Sequence, residues 1–197
     1  MKEYYDRRAH EYDDWWLGRG LFAGRERPGW EAELDEVARL LGALQPVRTL
    51  DIACGTGFIT RYLPGEVVGL DQSASMVAIA HDRIPDADFV VGDALDLPFP
   101  GGSFERVHAS FFYCHLEEPE RLRFLAEARR VAPELIVFGS RPGGDEEPLE
   151  RWEERVLDDG SRWPVFKRVF QPEALATELS GEVLHAGRWF VVVRATT

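Results

Sequence analysis

The sequence is poor in cysteine and lacks a long apolar run. Two cysteines, Cys54 and Cys114, stand among 197 residues, too few for a disulfide framework or a cysteine-based metal cluster. No apolar stretch reaches the length of a membrane-spanning helix, and the N-terminus has no apolar core like that of a signal peptide. We therefore expect no metal site and no membrane partner, and we expect the protein to be cytoplasmic.

Basic residues are also scarce relative to acidic ones. The chain has 23 lysines and arginines against 35 aspartates and glutamates, which gives a net charge of −12. A surface of this charge repels a phosphate backbone, so we expect no nucleic acid partner. The alternative explanation of the charge is that it serves solubility alone. The length is typical of one domain, so we assign residues 1–197 to a single domain. We expect the protein to be a monomer or a homodimer.

One stretch, residues 50–60, organises the rest of the chain. It reads Leu-Asp-Ile-Ala-Cys-Gly-Thr-Gly-Phe-Ile-Thr. The apolar run at 47–52 predicts a buried strand, and residues 58–63 predict a short helix that Pro64 ends. A strand, a glycine-rich turn and a helix in this order hold nucleotide-like ligands, because glycine permits close approach and the helix N-terminus offers free N–H groups.

The spacing of the glycines argues against a dinucleotide. The fingerprint for NAD or FAD needs a third glycine three residues after Gly57, and Thr60 stands there. Asp51 suits a cationic partner, such as an ammonium or a sulfonium, better than a pyrophosphate. The Asp-Ile-Ala-Cys-Gly-Thr-Gly run resembles the first motif of the S-adenosylmethionine-dependent methyltransferases with a Rossmann-like domain. This resemblance implies cofactor contacts from Asp51, Ala53, Gly55 and Gly57.

Two later segments extend the resemblance. Asp71 ends the next predicted strand, at 67–70, where an acidic side chain can accept hydrogen bonds from both hydroxyls of a ribose. The alternative for Asp71 is a carboxylate that only stabilises the start of the following helix. Residues 71–76 and 92–99 resemble the family's next motifs, although Met76 also fits a core position and Asp93 a turn. The resemblance implies contacts to ribose and adenine from Asp71, Gln72, Met76, Asp93, Ala94 and Leu95.

The fourth predicted strand, at 104–109, leads into the loop Ser-Phe-Phe-Tyr-Cys-His-Leu at 110–116. Ligands of open α/β sheets bind at the carboxyl ends of the strands, so we place the chemistry in this loop and expect Ser110 to contact the cofactor. Tyr113 and His115 are the evident proton-handling groups of the loop and are the catalytic candidates. A purely structural role for His115 is an equal alternative.

Two segments outside the alternating pattern are rich in large aromatic side chains. The first, residues 1–30, is expected to be an arm that packs on the core or closes over a ligand. Residues 5–13 resemble the N-terminal segment of small-molecule methyltransferases, which implies that Tyr12 lies near the cofactor carboxylate. The second segment, an insertion at 141–171, is read as a loop, a charged helix over 148–157 and an aromatic stretch. Together the two segments are expected to cap the acceptor.

The order of the elements predicts the fold class and the function. We expect an α/β fold, a Rossmann-like doubly wound sheet of seven strands, mostly parallel, with a C-terminal antiparallel hairpin at 182–195. The resemblance implies an enzyme that transfers a methyl group from S-adenosyl-L-methionine to a small molecule or a protein side chain and leaves S-adenosyl-L-homocysteine. A cofactor-binding module without activity and a nicotinamide-dependent oxidoreductase are the alternatives. The remaining predicted elements are helices at 30–44, 118–131 and 172–179 and strands at 87–91 and 135–139.

Overall fold

A seven-stranded sheet runs through the centre of the computed structural model, which describes residues 1–142 and 149–196. Its strand order is β3-β2-β1-β4-β5-β9-β8. The first five strands are parallel, whereas β9 is antiparallel to both of its neighbours, β5 and β8. The predicted fold class is therefore confirmed. The strands of this sheet are β1 (Thr49–Ile52), β2 (Val67–Asp71), β3 (Asp88–Val91), β4 (Arg106–Ser110), β5 (Glu134–Ser140), β8 (Gly181–Ala186) and β9 (Phe190–Thr196).

Six α-helices are found in the described residues. The longest, α5, begins where Glu117 and Glu120 form a capping box with Pro119 in the first turn. No helix in the described part of the chain is long and apolar enough to cross a bilayer. The helices are α1 (Lys2–Arg8), α2 (Asp14–Leu17), α3 (Trp30–Gly42), α4 (Ala74–Arg83), α5 (Glu118–Val131) and α6 (Pro172–Leu179).

The core lies on both faces of the sheet. All four residues of β1 and all five of β2 are buried, as expected for central parallel strands that are covered on each side. Part of the N-terminal arm joins this core. Trp16 is buried and stacks on Phe58 with ring centroids 5.1 Å apart.

The predicted helix at 58–63 is wrong, because only a 3₁₀ turn forms there, at Thr60–Tyr62. Its hydrogen bonds, from Tyr62 to Ile59 and from Leu63 to Thr60, span three residues rather than four. Pro64 cannot continue a helix, so the segment is too short to add a second turn. No helix N-terminus therefore follows the glycine-rich turn, and any ligand is held there by the turn itself.

The predicted helix at 148–157 is also wrong. Glu150–Val156 form strand β6, which pairs antiparallel with β7 (Arg162–Arg168) in a separate two-stranded sheet. Along β6 the exposure alternates from residue to residue, which is the period of a strand. A turn at 158–160 joins the two strands, with Gly160 at φ +79°. Part of the predicted loop, residues 143–145, lies outside the described residues. So does residue 148, with which the predicted helix begins.

A buried carboxylate fastens the β8–β9 hairpin to the helical layer. Glu33 on α3 accepts hydrogen bonds from the consecutive amides of residues 188–190, at 2.8 to 3.1 Å. His185 Nε2 lies 3.2 Å from the same carboxylate. Gly187 is required at the turn, because a Cβ there would lie 2.0 Å from Glu33 Oε1.

This arrangement predicts an unusually large effect for Glu33→Ala. The substitution leaves three backbone donors without their acceptor and should lower the free energy of unfolding by about 3 kcal/mol. Urea denaturation measures the change. Glu31→Ala, at an exposed position of the same helix, is the matched control and should change stability by less than about 0.5 kcal/mol. Equal effects of the two substitutions would contradict this account of Glu33.

Candidate functional site

A cavity of about 470 Å³ opens at the carboxyl ends of β1, β2 and β4. This volume lies in the range of pockets that hold small ligands. The structure brings most of the sequence-predicted site residues together around it, and three of them lie elsewhere: Asp51, Gly57 and Tyr113. The predicted residues that line the cavity are Tyr12, Ala53, Gly55, Asp71, Gln72, Met76, Asp93, Ala94, Leu95, Ser110 and His115.

The Asp71 carboxylate joins two turns at the cavity wall. One oxygen accepts the amide of Gly55 at 3.0 Å, and the other accepts the amide of Ser73 at 2.9 Å. Burial raises the pKa of Asp71 to about 6, against the opposing effect of these two hydrogen bonds. Each oxygen keeps a second lone pair, so the carboxylate can accept two further hydrogen bonds from a ligand.

Two further polar groups at the cavity are left with hydrogen-bonding capacity. Asp93 Oδ1 accepts the Leu95 amide at 2.8 Å, which leaves Oδ2 available. The buried Ser110 Oγ has no hydrogen-bond partner among the described residues. A buried hydroxyl without a partner is unfavourable unless a ligand or water satisfies it. These groups therefore suit a ligand that presents both donors and acceptors.

Backbone strain is concentrated at the same place. Ala53 follows β1 with φ +52°, and Phe111 follows β4 with φ +54°. Both residues line the cavity, and neither is glycine, so the left-handed conformation is unfavourable for each. Strained backbone of this kind is typical of functional sites. Sequence reasoning did not identify Phe111, because no residue type signals this conformation.

Asp51 and Gly57 lie behind the cavity wall. Asp51 is buried, with one oxygen 2.7 Å from His108 Nδ1 and the other accepting from the Thr60 hydroxyl at 2.5 Å. A Cβ at Gly57 would lie 3.3 Å from Ala80, so this glycine permits close packing against α4. In this structure both residues shape the turn that the ligand would contact and do not line the cavity themselves.

The two catalytic candidates differ in position. The Tyr113 hydroxyl donates to Glu178 at 2.5 Å, away from the cavity, and burial raises the pKa of this phenol. His115 lines the cavity, and its Nδ1 lies 2.7 Å from the carbonyl oxygen of Phe166. A carbonyl only accepts, so Nδ1 must donate and the neutral ring carries its lone pair on Nε2. We therefore retain only His115 as a candidate for proton transfer.

The arm and the β6–β7 hairpin both contribute side chains to the lining of the cavity. Tyr5 and Tyr12 of the arm line it, and so do Trp152 of β6 and Phe166 of β7. The sequence identified the two segments through their aromatic content but not the individual side chains, since Trp152 lay in a predicted helix.

A second, smaller core joins the arm to the hairpin. Tyr4 of α1 packs with Leu157 and Val165, and all three side chains are buried. His10 and Asp158 form an ion pair at 2.8 Å beside this cluster. The arm and the hairpin are thus attached to each other as well as to the sheet.

A buried cation next to His115 has an unusual partner. The Lys167 ammonium lies 3.7 Å from Cys114 Sγ and 3.3 Å from Ser140 Oγ. Burial raises the pKa of the Cys114 thiol, but the neighbouring His115 and Lys167 outweigh burial and lower it to about 6. A thiolate at Cys114 would therefore compensate the charge of Lys167. In residues 1–142 and 149–196 no three metal-binding side chains cluster.

Comparison with known proteins relates the central part of the chain to one family. Residues 49–134 match the model described as "Methyltransferase domain". A demethylmenaquinone methyltransferase of Thermotoga maritima is 37% identical over 132 residues, which cover 64% of this chain and 54% of that protein. The chloroplastic tocopherol O-methyltransferase of Arabidopsis thaliana is 32% identical over 127 residues, which cover 56% of this chain and 36% of that protein. The chain thus spans about half the length, or less, of these curated relatives.

Solved structures share the fold over nearly the whole chain. The structure described as the DhpI-SAM-HEP complex has a TM-score of 0.78 at 22% identity and covers 98% of this chain and 94% of its own. The 1,6-didemethyltoxoflavin-N1-methyltransferase of Burkholderia thailandensis, with bound 1,6-didemethyltoxoflavin and S-adenosylhomocysteine, has a TM-score of 0.62 at 17% identity. That likeness covers 99% of this chain and 89% of the other. At these identities the likeness establishes the fold.

The backbone strain at Ala53 predicts that a glycine at this position stabilises the protein, whereas a substitution by glycine usually lowers stability. Ala53→Gly removes the Cβ that disfavours φ +52° and should raise the free energy of unfolding by about 1 kcal/mol. Ala38→Gly, inside α3, is the control and should lower it by about 1 kcal/mol. Urea unfolding of both variants tests the pair, and a loss of stability in Ala53→Gly would rule out strain at this residue.

Proposed function

We propose that this chain, in which residues 49–134 form a methyltransferase domain of the class I, Rossmann-like kind, transfers a methyl group from S-adenosyl-L-methionine to a small molecule. One observation carries the proposal. Of the twelve residues that the motifs assign to the cofactor, all but Asp51 and Gly57 line a single cavity. They come from separate segments between residues 12 and 110, so their meeting supports one ligand that contacts all of them.

The cavity has the groups that this cofactor needs. In our proposal the Asp71 carboxylate accepts the two ribose hydroxyls through its remaining lone pairs. Asp93 Oδ2 accepts from the exocyclic amine of adenine, while the Ala94 amide donates to a ring nitrogen. The Met76 side chain, buried at the cavity wall, packs on the adenine face. Tyr12, Gly55 and Ser110 surround the amino-acid portion. When bound, the cofactor supplies an electrophilic methyl group on a sulfonium.

His115 is the proposed acceptor of the proton that the reaction releases. In this proposal the lone pair of the acceptor would take the methyl group that the sulfonium supplies, and sulfur would keep the electron pair of the carbon–sulfur bond. The O–H or N–H proton of the acceptor then passes to Nε2 of His115. The hydrogen bond from Nδ1 to Phe166 fixes the ring in the tautomer with its lone pair on Nε2.

A small molecule is favoured over a protein side chain as the acceptor. The arm and the β6–β7 hairpin roof the cavity with aromatic side chains, which excludes water and holds a compact acceptor in line with the methyl group. The names of the relatives from Thermotoga maritima and Arabidopsis thaliana also refer to small molecules. A module that binds the cofactor without activity would share every cofactor contact, so His115 is the residue that distinguishes it from an enzyme.

Ionisation of Asp71 should control cofactor affinity. A carboxyl of pKa about 6 is mostly ionised at pH 7 and mostly protonated at pH 5. Only the ionised form accepts from both hydroxyls, so the affinity for S-adenosylhomocysteine should fall about tenfold from pH 7 to pH 5. Calorimetry should show weak, pH-independent binding by Asp71→Asn. Asp86→Asn, at an exposed position, should retain the pH dependence of the unaltered protein.

His115→Gln should separate catalysis from cofactor binding. Glutamine can still donate to the Phe166 carbonyl but cannot accept the proton, so kcat should fall by roughly 10² or more. Affinity for S-adenosylhomocysteine should stay within about twofold, since His115 contacts only the acceptor side. The assay uses methyl-labelled cofactor and a fractionated metabolite extract, and His81→Gln on the exposed face of α4 is the control. An unchanged rate in His115→Gln would exclude His115 as the base.

A further inference from the structure

We infer that the methyl acceptor is an aromatic molecule that carries no anionic group, an inference that rests on the proposed function. It is based on the residues that line the side of the cavity where the acceptor would bind. No lysine or arginine lines the cavity in the described part of the chain. Residues 143–148, which lie outside that part, contain neither residue type in their sequence. A phosphate, sulfate or carboxylate on the acceptor would therefore have no cationic side chain to bind it.

The walls on this side are aromatic. Phe111 and Phe112 come from the loop after β4, and Trp152 and Phe166 come from the hairpin. Trp152 and Phe166 meet edge to face with their ring centroids 5.8 Å apart. Walls of this kind favour a planar, apolar partner, whose rings pack against them in offset or edge-to-face contacts.

Two carboxylates stand at the mouth of the cavity. Glu117 and Glu120 line it at the start of α5 and form no ion pair with any described residue. Their uncompensated charges repel an approaching anion. They leave a neutral molecule unaffected and attract a cationic one. An anion that did enter would lose its water without gaining a partner, which is unfavourable in an aromatic enclosure.

The lysine and arginine side chains near the cavity already have other partners. Lys167 lies against Cys114 Sγ and Ser140 Oγ, while Arg8 donates to the Tyr4 hydroxyl at 2.8 Å. Arg121 donates to the Leu116 carbonyl at 3.0 Å and pairs with glutamates outside the cavity. None of these three side chains lines the cavity.

The N-terminus of α5 offers no substitute for a cation. Helix N-termini bind anions through free amides, but here the capping box uses two of them. The Glu120 amide donates to the Glu117 side chain, and the Glu117 amide donates to the Glu120 carboxylate at 3.1 Å. Pro119 in the same turn has no N–H group to donate. The turn therefore presents two carboxylates to the cavity mouth, and two of its amide donors are already used.

The experiment separates possible acceptors by charge. A metabolite extract is divided by anion exchange at pH 7 into an unretained pool and a retained pool, and each is incubated with the full chain and methyl-labelled S-adenosylmethionine. We expect a labelled product from the unretained pool. A product only from the retained pool would overturn the inference while supporting methyl transfer. Cofactor binding by calorimetry with no product from either pool would overturn the proposed function, and the inference with it.

Substitution at the cavity mouth tests the role of the two carboxylates. The competitors are 2-naphthol and 2-naphthalenesulfonate, which share a ring system and differ in charge, and the readout is inhibition of the labelled reaction. The unaltered protein should be inhibited at lower concentrations of the naphthol. The double variant Glu117→Gln and Glu120→Gln loses both charges, but its amide oxygens still accept the capping hydrogen bonds. In this variant the ratio of the inhibitory concentration of the sulfonate to that of the naphthol should fall by roughly fivefold.

Glu118→Gln is the matched control, because it removes one charge from the same helical turn without altering the cavity lining. It should leave the preference between the two competitors unchanged. Stronger inhibition of the unaltered protein by the sulfonate, or an equal loss of preference in Glu118→Gln, would contradict the inference.

Discussion

The carboxylate of Asp71 holds together the two turns from which the site is built. It receives the amide of Gly55 from the turn after β1 and the amide of Ser73 from the start of α4. Because the carboxylate is buried, these two hydrogen bonds also compensate its own desolvation. The geometry of the cavity and the ionisation of Asp71 thus depend on the same two contacts.

The arm is connected to this same group. Asp6 accepts the hydroxyl of Ser73 at 2.6 Å, and Asp13 accepts the hydroxyl of Thr56 at 2.6 Å, so the arm contacts both turns. Through Tyr4 and His10 the arm also holds the β6–β7 hairpin. The hairpin is therefore linked through the arm to the two turns that Asp71 joins.

The fold could be predicted well from the sequence because the features that indicate it are local. These features are the periodicity of the strands, the positions of the glycines and the length of helix α5. Helix α5 has the bounds that were predicted from the sequence, residues 118–131. Prediction failed where the outcome depends on tertiary contacts. The charged segment at 150–156 has no strong preference, and pairing with β7 made it a strand. The position of Asp51 behind the cavity wall depends on His108, which stands far along the chain and pairs with it only after the sheet forms.

The small core of Tyr4, Leu157 and Val165 has a consequence for the way such a protein can diversify. It stabilises the arm and hairpin through side chains that belong to neither the central core nor the turns of the Asp71 site. Tyr4 and its two partners can therefore change together in evolution, while Asp6, Asp13 and Trp16 keep the arm attached to the turns and the central core. A chimera that exchanges the arm and the hairpin together keeps this packing intact. One that exchanges either segment alone brings mismatched surfaces into contact.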